Sequence, residues 1–190
     1  MRKHPATAFL MKLGLSLICG LIHLLVSAQT LEMPIKEDVL HYEDIILFGD
    51  GINQEKASAN LEKWVADNQK NWKLQSRKST LIGGTTIING IIRVDPEEGD
   101  YRSVDGGFTI TITMINDRLR YQINELALIK AGQRFDATAV YKGYRKGDPF
   151  MKQKMEQKEA VLQRHEELLR KLDQRIKKII ASLSAGMLVK

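Results

Sequence analysis

Two stretches of apolar–polar alternation, FTITITMI and RLRYQINELALI, flank the dipeptide Asn116-Asp117, and no other feature of the chain restricts its fold so tightly. A period of two is the signature of a strand with one covered face. Asn and Asp tolerate the positive φ of a two-residue hairpin turn, so the two runs are predicted to pair across it. Setting Ile115 opposite Arg118 then fixes every other partner. Met114 faces Leu119, Ile112 faces Tyr121 and Ile110 faces Ile123 on one side; Thr113 faces Arg120 and Thr111 faces Gln122 on the other. One side is wholly apolar and the other wholly polar, which is the pattern of an antiparallel sheet covered on a single face.

The flanking sequence supplies the rest of an α+β domain. Val39 to Phe48 is rich in β-branched and aromatic residues and stops at Gly49-Asp50-Gly51, which predicts a strand. A helix follows, capped by Asn53, with Ala57, Leu61, Trp64 and Val65 on one face. Trp72 to Leu81 and Thr86 to Val94 read as strands joined through Gly83-Gly84. In the second, Ile88, Gly90, Ile92 and Val94 share a face, and Gly90 marks a close approach of another group. Residues 29–37 form a polar N-terminal arm, 38–129 the core of the domain and 130–149 a connecting loop, with an edge strand near Ala137 to Tyr141 as one option within it. Residues 150–184 form one long amphipathic helix, capped by Asp148 and entered through Pro149. Met155, Leu162, Leu169, Ile176 and Leu183 recur every seven residues along it, with Leu172 and Ile179 beside them. That stripe suits either a partner helix, and so self-association, or lengthwise packing on the chain's own sheet. Lys158 and His165 interrupt it and favour the second.

The N-terminus predicts export. Arg2, Lys3 and Lys12 precede an apolar run of 14 residues, Leu13 to Val26, and Val26-Ser27-Ala28 presents a cleavage site, so residues 1–28 read as a signal peptide. A 14-residue helix spans about 21 Å, too short for the roughly 30 Å core of a bilayer. No permanent transmembrane span is therefore expected, and the protein is placed in the periplasm or secreted. Cys19 lies inside the run behind Ile18, which does not fit a lipidation signal. Cleavage removes three basic residues and no acid, leaving 26 Lys and Arg against 23 Asp and Glu, a net charge of +3. It also removes the only cysteine, so a mature chain has no disulfide and no thiol nucleophile.

Residues able to carry chemistry are few. His41 and Glu43 lie on one side of a strand and are the candidates for a hydrolase-type alternative. Asp95, Glu97, Glu98 and Asp100 crowd one loop but lack the spacing of a calcium loop. Tyr141 to Gly147 interleaves aromatic and basic residues, which a surface connection accounts for as well as a polyanion site does. No phosphate-cradling or dinucleotide motif is present. The reading that remains is a non-enzymatic binding module of the cell envelope without a cofactor, using the bare polar sheet face. Thr109, Thr111, Thr113, Arg120 and Gln122 are its candidate ligand-binding residues, and an envelope protein or polymer is the expected partner.

The order of strand, Gly49-x-Gly51, helix with Trp64, glycine-punctuated strand pair ending near Gly90, FTITITMINDRLRYQINEL and a distal LDQRIKKIIASLSAGM resembles an uncharacterised family of exported bacterial proteins. That family is described as a domain of unknown function with a fold like the TATA-binding protein (TBP). The resemblance covers Leu40 to Met187 and implies the order β-α-β-β-β-β-α, with a curved antiparallel sheet of about five strands carrying two helices on one face. It brings no catalytic residues. It implies no nucleic-acid partner either, because minor-groove binding on such a sheet uses apolar wedges where this chain has threonines, Arg120 and Gln122.

Overall fold

The computed structural model describes residues 31–49, 51–80, 84–95, 103–146 and 155–188, with the main chain alone at 95, 146 and 155–163. The chain divides into two units, Met1–Glu32 and Met33–Lys190. Leu31 and Glu32 are the described part of the first, and every element below belongs to the second. The expected signal peptide, Asp148, Pro149 and the acidic-loop residues Glu97, Glu98 and Asp100 lie outside the described residues.

The Asn116-Asp117 hairpin adopts the expected register. Strands β6 (Val104–Ile115) and β7 (Arg118–Lys130) pair Ile115 with Arg118, Ile112 with Tyr121, Ile110 with Ile123 and Thr111 with Gln122. Asn116 turns the chain at φ 54°. On one side Ile110, Ile112, Leu119, Tyr121 and Ile123 are buried, whereas Arg120 on the other side is exposed.

Around that hairpin stand β3 (Tyr42–Leu47), β4 (Lys73–Thr80), β5 (Thr85–Asp95) and β8 (Gln133–Asp136). They form a six-stranded antiparallel sheet in the order β3-β7-β6-β5-β4, with β8 also on β7. A separate two-stranded ribbon, β1 (Ile35–Lys36) and β2 (Val39–Leu40), turns at Glu37 and Asp38, both at positive φ. What reads as one strand from Val39 is therefore two, and the N-terminal arm ends in a hairpin.

Helix α1 (Gln54–Asn68) has Asn53 as its cap, the side-chain oxygen accepting from the Lys56 amide at 2.9 Å, and buries Ala57, Leu61, Trp64 and Val65. Trp64, Trp72 and Phe108 pack in sequence, the last two edge to face with centroids 5.6 Å apart. Phe108 lies over Gly90 on β5. A Cβ on Gly90 would come within 2.3 Å of the ring, so the close approach expected there is real.

Helix α2 (Ala137–Lys146) and helix α3 (Met155–Met187) complete the domain. The segment expected to be a loop with an optional edge strand is instead a strand and a helix. β7 runs on to Lys130, turns at Ala131 and Gly132 with φ 48° and 78°, and returns as β8; α2 then starts at Ala137, buries Tyr141 and packs against α3. The β-hairpin turn carries an alanine where glycine or asparagine is the usual signal, which hid it. Along α3, Leu169, Leu172, Ile176, Ile179 and Leu183 are all buried. Leu172 reaches Gly106 on β6, where an added Cβ would lie 2.6 Å from its methyl group. The described part of the seven-residue stripe is thus committed to the chain's own core, each such side chain contributing about 1.5–3 kcal/mol. Trp64 donates its indole N–H to Ser182 at 3.1 Å and rests on Gly186, which ties α1 to α3.

Candidate ligand-binding face

Facing away from the helices, the sheet presents rows of side chains set by strand register. The central row runs Lys78, Ile87, Thr111, Gln122 and Glu43 across β4, β5, β6, β7 and β3. The next row toward the hairpin end runs Thr80, Thr85, Thr113, Arg120 and Ile45, with the Thr85 and Thr113 hydroxyls 3.3 Å apart. These side chains face solvent because the alternation that buries Ile110 and Ile112 leaves their neighbours pointing the other way.

Glu43 is the electrostatic centre of the face. Its carboxylate accepts from Lys36, from Arg120 Nη2 at 3.2 Å and from Gln122 Nε2 at 3.4 Å, with His41 Nε2 also 3.4 Å away. The Lys36 bond, followed by that of Arg120, holds its pKa down at about 2. His41 and Glu43 do meet, as expected of strand residues two apart. Glu43 shares its carboxylate among all four side chains, two of them the cations Lys36 and Arg120, and so also orients Arg120 and Gln122, two of the five candidate residues.

The threonines differ among themselves. Thr111 is half-buried, and its hydroxyl bonds to none of the described residues. Thr113 reaches Thr85. Thr109, expected to be open to solvent, is only 9% exposed. Its hydroxyl lies 2.7 Å from Asn89 Oδ1 and 2.7 Å from Glu125 Oε2, while Asn89 Nδ2 donates to Ser76 at 2.7 Å. Ser76, Asn89, Thr109 and Glu125 thus form a polar chain crossing four strands. It closes over Thr109 because β7 bulges there, the register shifting between Gly107 and Thr109 and Glu125 standing at φ 51°. Glu125 was not among the sequence candidates, since a strand pattern does not announce a bulge. Among the described residues no group of His, Cys, Asp or Glu is arranged to hold a metal ion, and no helix is long and apolar enough to cross a membrane.

A crystal structure of a TBP-like protein from Parabacteroides distasonis superposes on this chain with a TM-score of 0.54, at 13% identity, covering 81% of this chain and 96% of that one. The fold is TBP-like. A crystal structure of a DUF4468 family protein from Bacteroides ovatus agrees, with a TM-score of 0.59 at 11% identity over 83% of this chain and 91% of its own. Neither a protein-family model nor a curated protein sequence matches. At such identities the TBP-like likeness speaks for architecture and carries no site residues across. The sheet has the expected antiparallel form, extended by β8, and α2 adds a helix to the two expected.

Proposed function

We propose that the protein is a non-enzymatic binding module of the bacterial cell envelope, exported by residues 1–28, that holds an envelope protein or polymer on the open face of its sheet. What supports the reading is one arrangement: Arg120 and Gln122 are clamped by Glu43 beside the unbonded hydroxyl of Thr111, on a face that no described element covers. A polar face whose side chains are already ordered loses little entropy when it engages a partner. Thr109, bonded to Asn89 and Glu125, bounds the face at the bulge, and Thr113 extends it toward the hairpin end.

The test is recovery of partners from native envelope extract by the wild-type protein and by the double variant Arg120→Ala, Gln122→Ala. Both side chains lie off the core, so the variant keeps its circular dichroism spectrum. Recovery of the partner is expected to fall about tenfold, the loss of one well-placed polar contact. Undiminished recovery removes this face from consideration.

A further inference from the structure

The outer edge of β7 is shared. β3 pairs with it as far as Ile123, β8 pairs with it from Ala127, and the bulge lies between the two. A groove of about 740 Å³ opens at this break, large enough for a small ligand. Its polar wall is Glu125, Arg134, Asp136 and Thr138, and Val39 and Leu126 add apolar surface.

Three formal charges face this groove, and each is held in place by a bond that leaves its charge unneutralised. Glu125 Oε2 takes the Thr109 hydroxyl, Asp136 Oδ1 accepts the Thr138 amide at 2.9 Å as the cap of α2, and Arg134 Nη2 donates to the Glu125 main-chain carbonyl at 3.0 Å. Gly107 leaves room for the guanidinium; a Cβ there would stand 2.7 Å from Arg134 Nη1. Glu125, Arg134 and Asp136 make no ion pair with any described residue, although both signs are present. All three line the groove, so both signs of charge are presented to whatever enters it.

We propose that this groove binds a small zwitterion of the amino-acid or short-peptide class. The ligand carboxylate meets the Arg134 fork, its ammonium group lies between Glu125 and Asp136, and a short apolar body covers Val39 and Leu126. A simple anion would meet two carboxylates and a simple cation a guanidinium, so the lining favours a molecule carrying both charges. Thr109 is a positioning residue, acting through Glu125. This site lies at the sheet edge and shares Thr109 with the open face, but neither Arg120 nor Gln122 lines it.

The test is a titration of the isotope-labelled protein by nuclear magnetic resonance with three probes: alanyl-alanine, N-acetylalanine and alanine methyl ester. Alanyl-alanine is expected to give saturable shifts in the amides of 124–127 and 133–138, with the two singly charged probes binding at least about tenfold more weakly. Glu125→Gln and Arg134→Gln, both at exposed side chains, each weaken alanyl-alanine by about the same factor, and Gly107→Ala weakens it by displacing Arg134. Thr109→Val lowers affinity and Thr109→Ser restores it, which a merely structural threonine would not do. Arg120→Ala with Gln122→Ala leaves the titration unchanged, so a failed partner assay and a failed groove are told apart. Absence of saturable shifts, equal binding of a singly charged probe, or full affinity in Arg134→Gln overturns the proposal.

Discussion

Glu43 and Tyr42 are adjacent on β3 and point to opposite faces, and the pH dependence of stability follows from both. Glu43 has its pKa depressed to about 2, with the Lys36 bond as the first cause. Its contribution is therefore complete above the unfolded value of about 4.5 and disappears as the pH falls from there toward 2. Glu43→Gln is expected to flatten the acid limb of a stability profile measured by urea unfolding between pH 5 and 2. Tyr42 behaves in the opposite sense. Burial, and then its hydroxyl's donation to the buried Asp173 at 2.8 Å, raise its pKa far above the ordinary phenol value. The neutral form is favoured in the folded state, so this contribution holds below about pH 10 and is lost above it. Tyr42→Phe should remove that alkaline loss and cost about 1–3 kcal/mol at neutral pH, because Asp173 keeps Lys177 but forfeits its buried donor. At this scale the sequence was legible where one residue type has one use. Gly90 announced a close approach and Phe108 fills it, but the left-handed Glu125 had no such signal.

Legibility at the level of elements depended on whether a pattern was long enough to repeat. The β6–β7 register could be read because five consecutive pairs, from Ile110–Ile123 to Met114–Leu119, separate cleanly into apolar and polar sets, and α1 because Asn53 precedes four residues of one stripe. β8 and α2 escaped because a four-residue strand has no periodicity to show and Ala131 stands in for the expected turn residue. The helix itself did leave a trace: Asp136 is a cap residue, and Ala137, Tyr141 and Tyr144 stand at helical spacing. Glycines at 143 and 147 outweighed it. For α3 the choice left open by the heptad pattern is decided over Leu169 to Leu183 by burial. Leu172→Ala should accordingly cost about 2–5 kcal/mol in urea unfolding, with a void opening against Gly106. A stripe used for association would instead show its loss as a concentration-dependent change, so the same measurement at two protein concentrations distinguishes the cases.

Across the whole molecule, one inequality between the two sides of the sheet fixes both the TBP-like architecture and the candidate face. Helices cover the side of Ile110 and Ile112, and the other side is left to Thr111, Arg120 and Gln122. The groove beside Glu125 was illegible because it arises from the way two short strands meet a long one, which no local pattern encodes. The proposed export is a separate matter and rests on residues 1–28 alone. Expression in an exporting host should yield a mature protein beginning at Gln29, seen as the loss of 28 residues in the intact mass. Retention of the full mass would remove the envelope from the proposed role.

Sharing one long strand between two short ones has a dynamic consequence. β3 is fastened through six residue pairs and β8 through four, so the two carry separate opening free energies and neither must release for the other to do so. Fraying of β8 widens the cleft while the β6 side of β7 remains zipped. A guest lodged there would tie β8 to β7 and to Val39, just ahead of β3, and lend their independent fluctuations a common restraint.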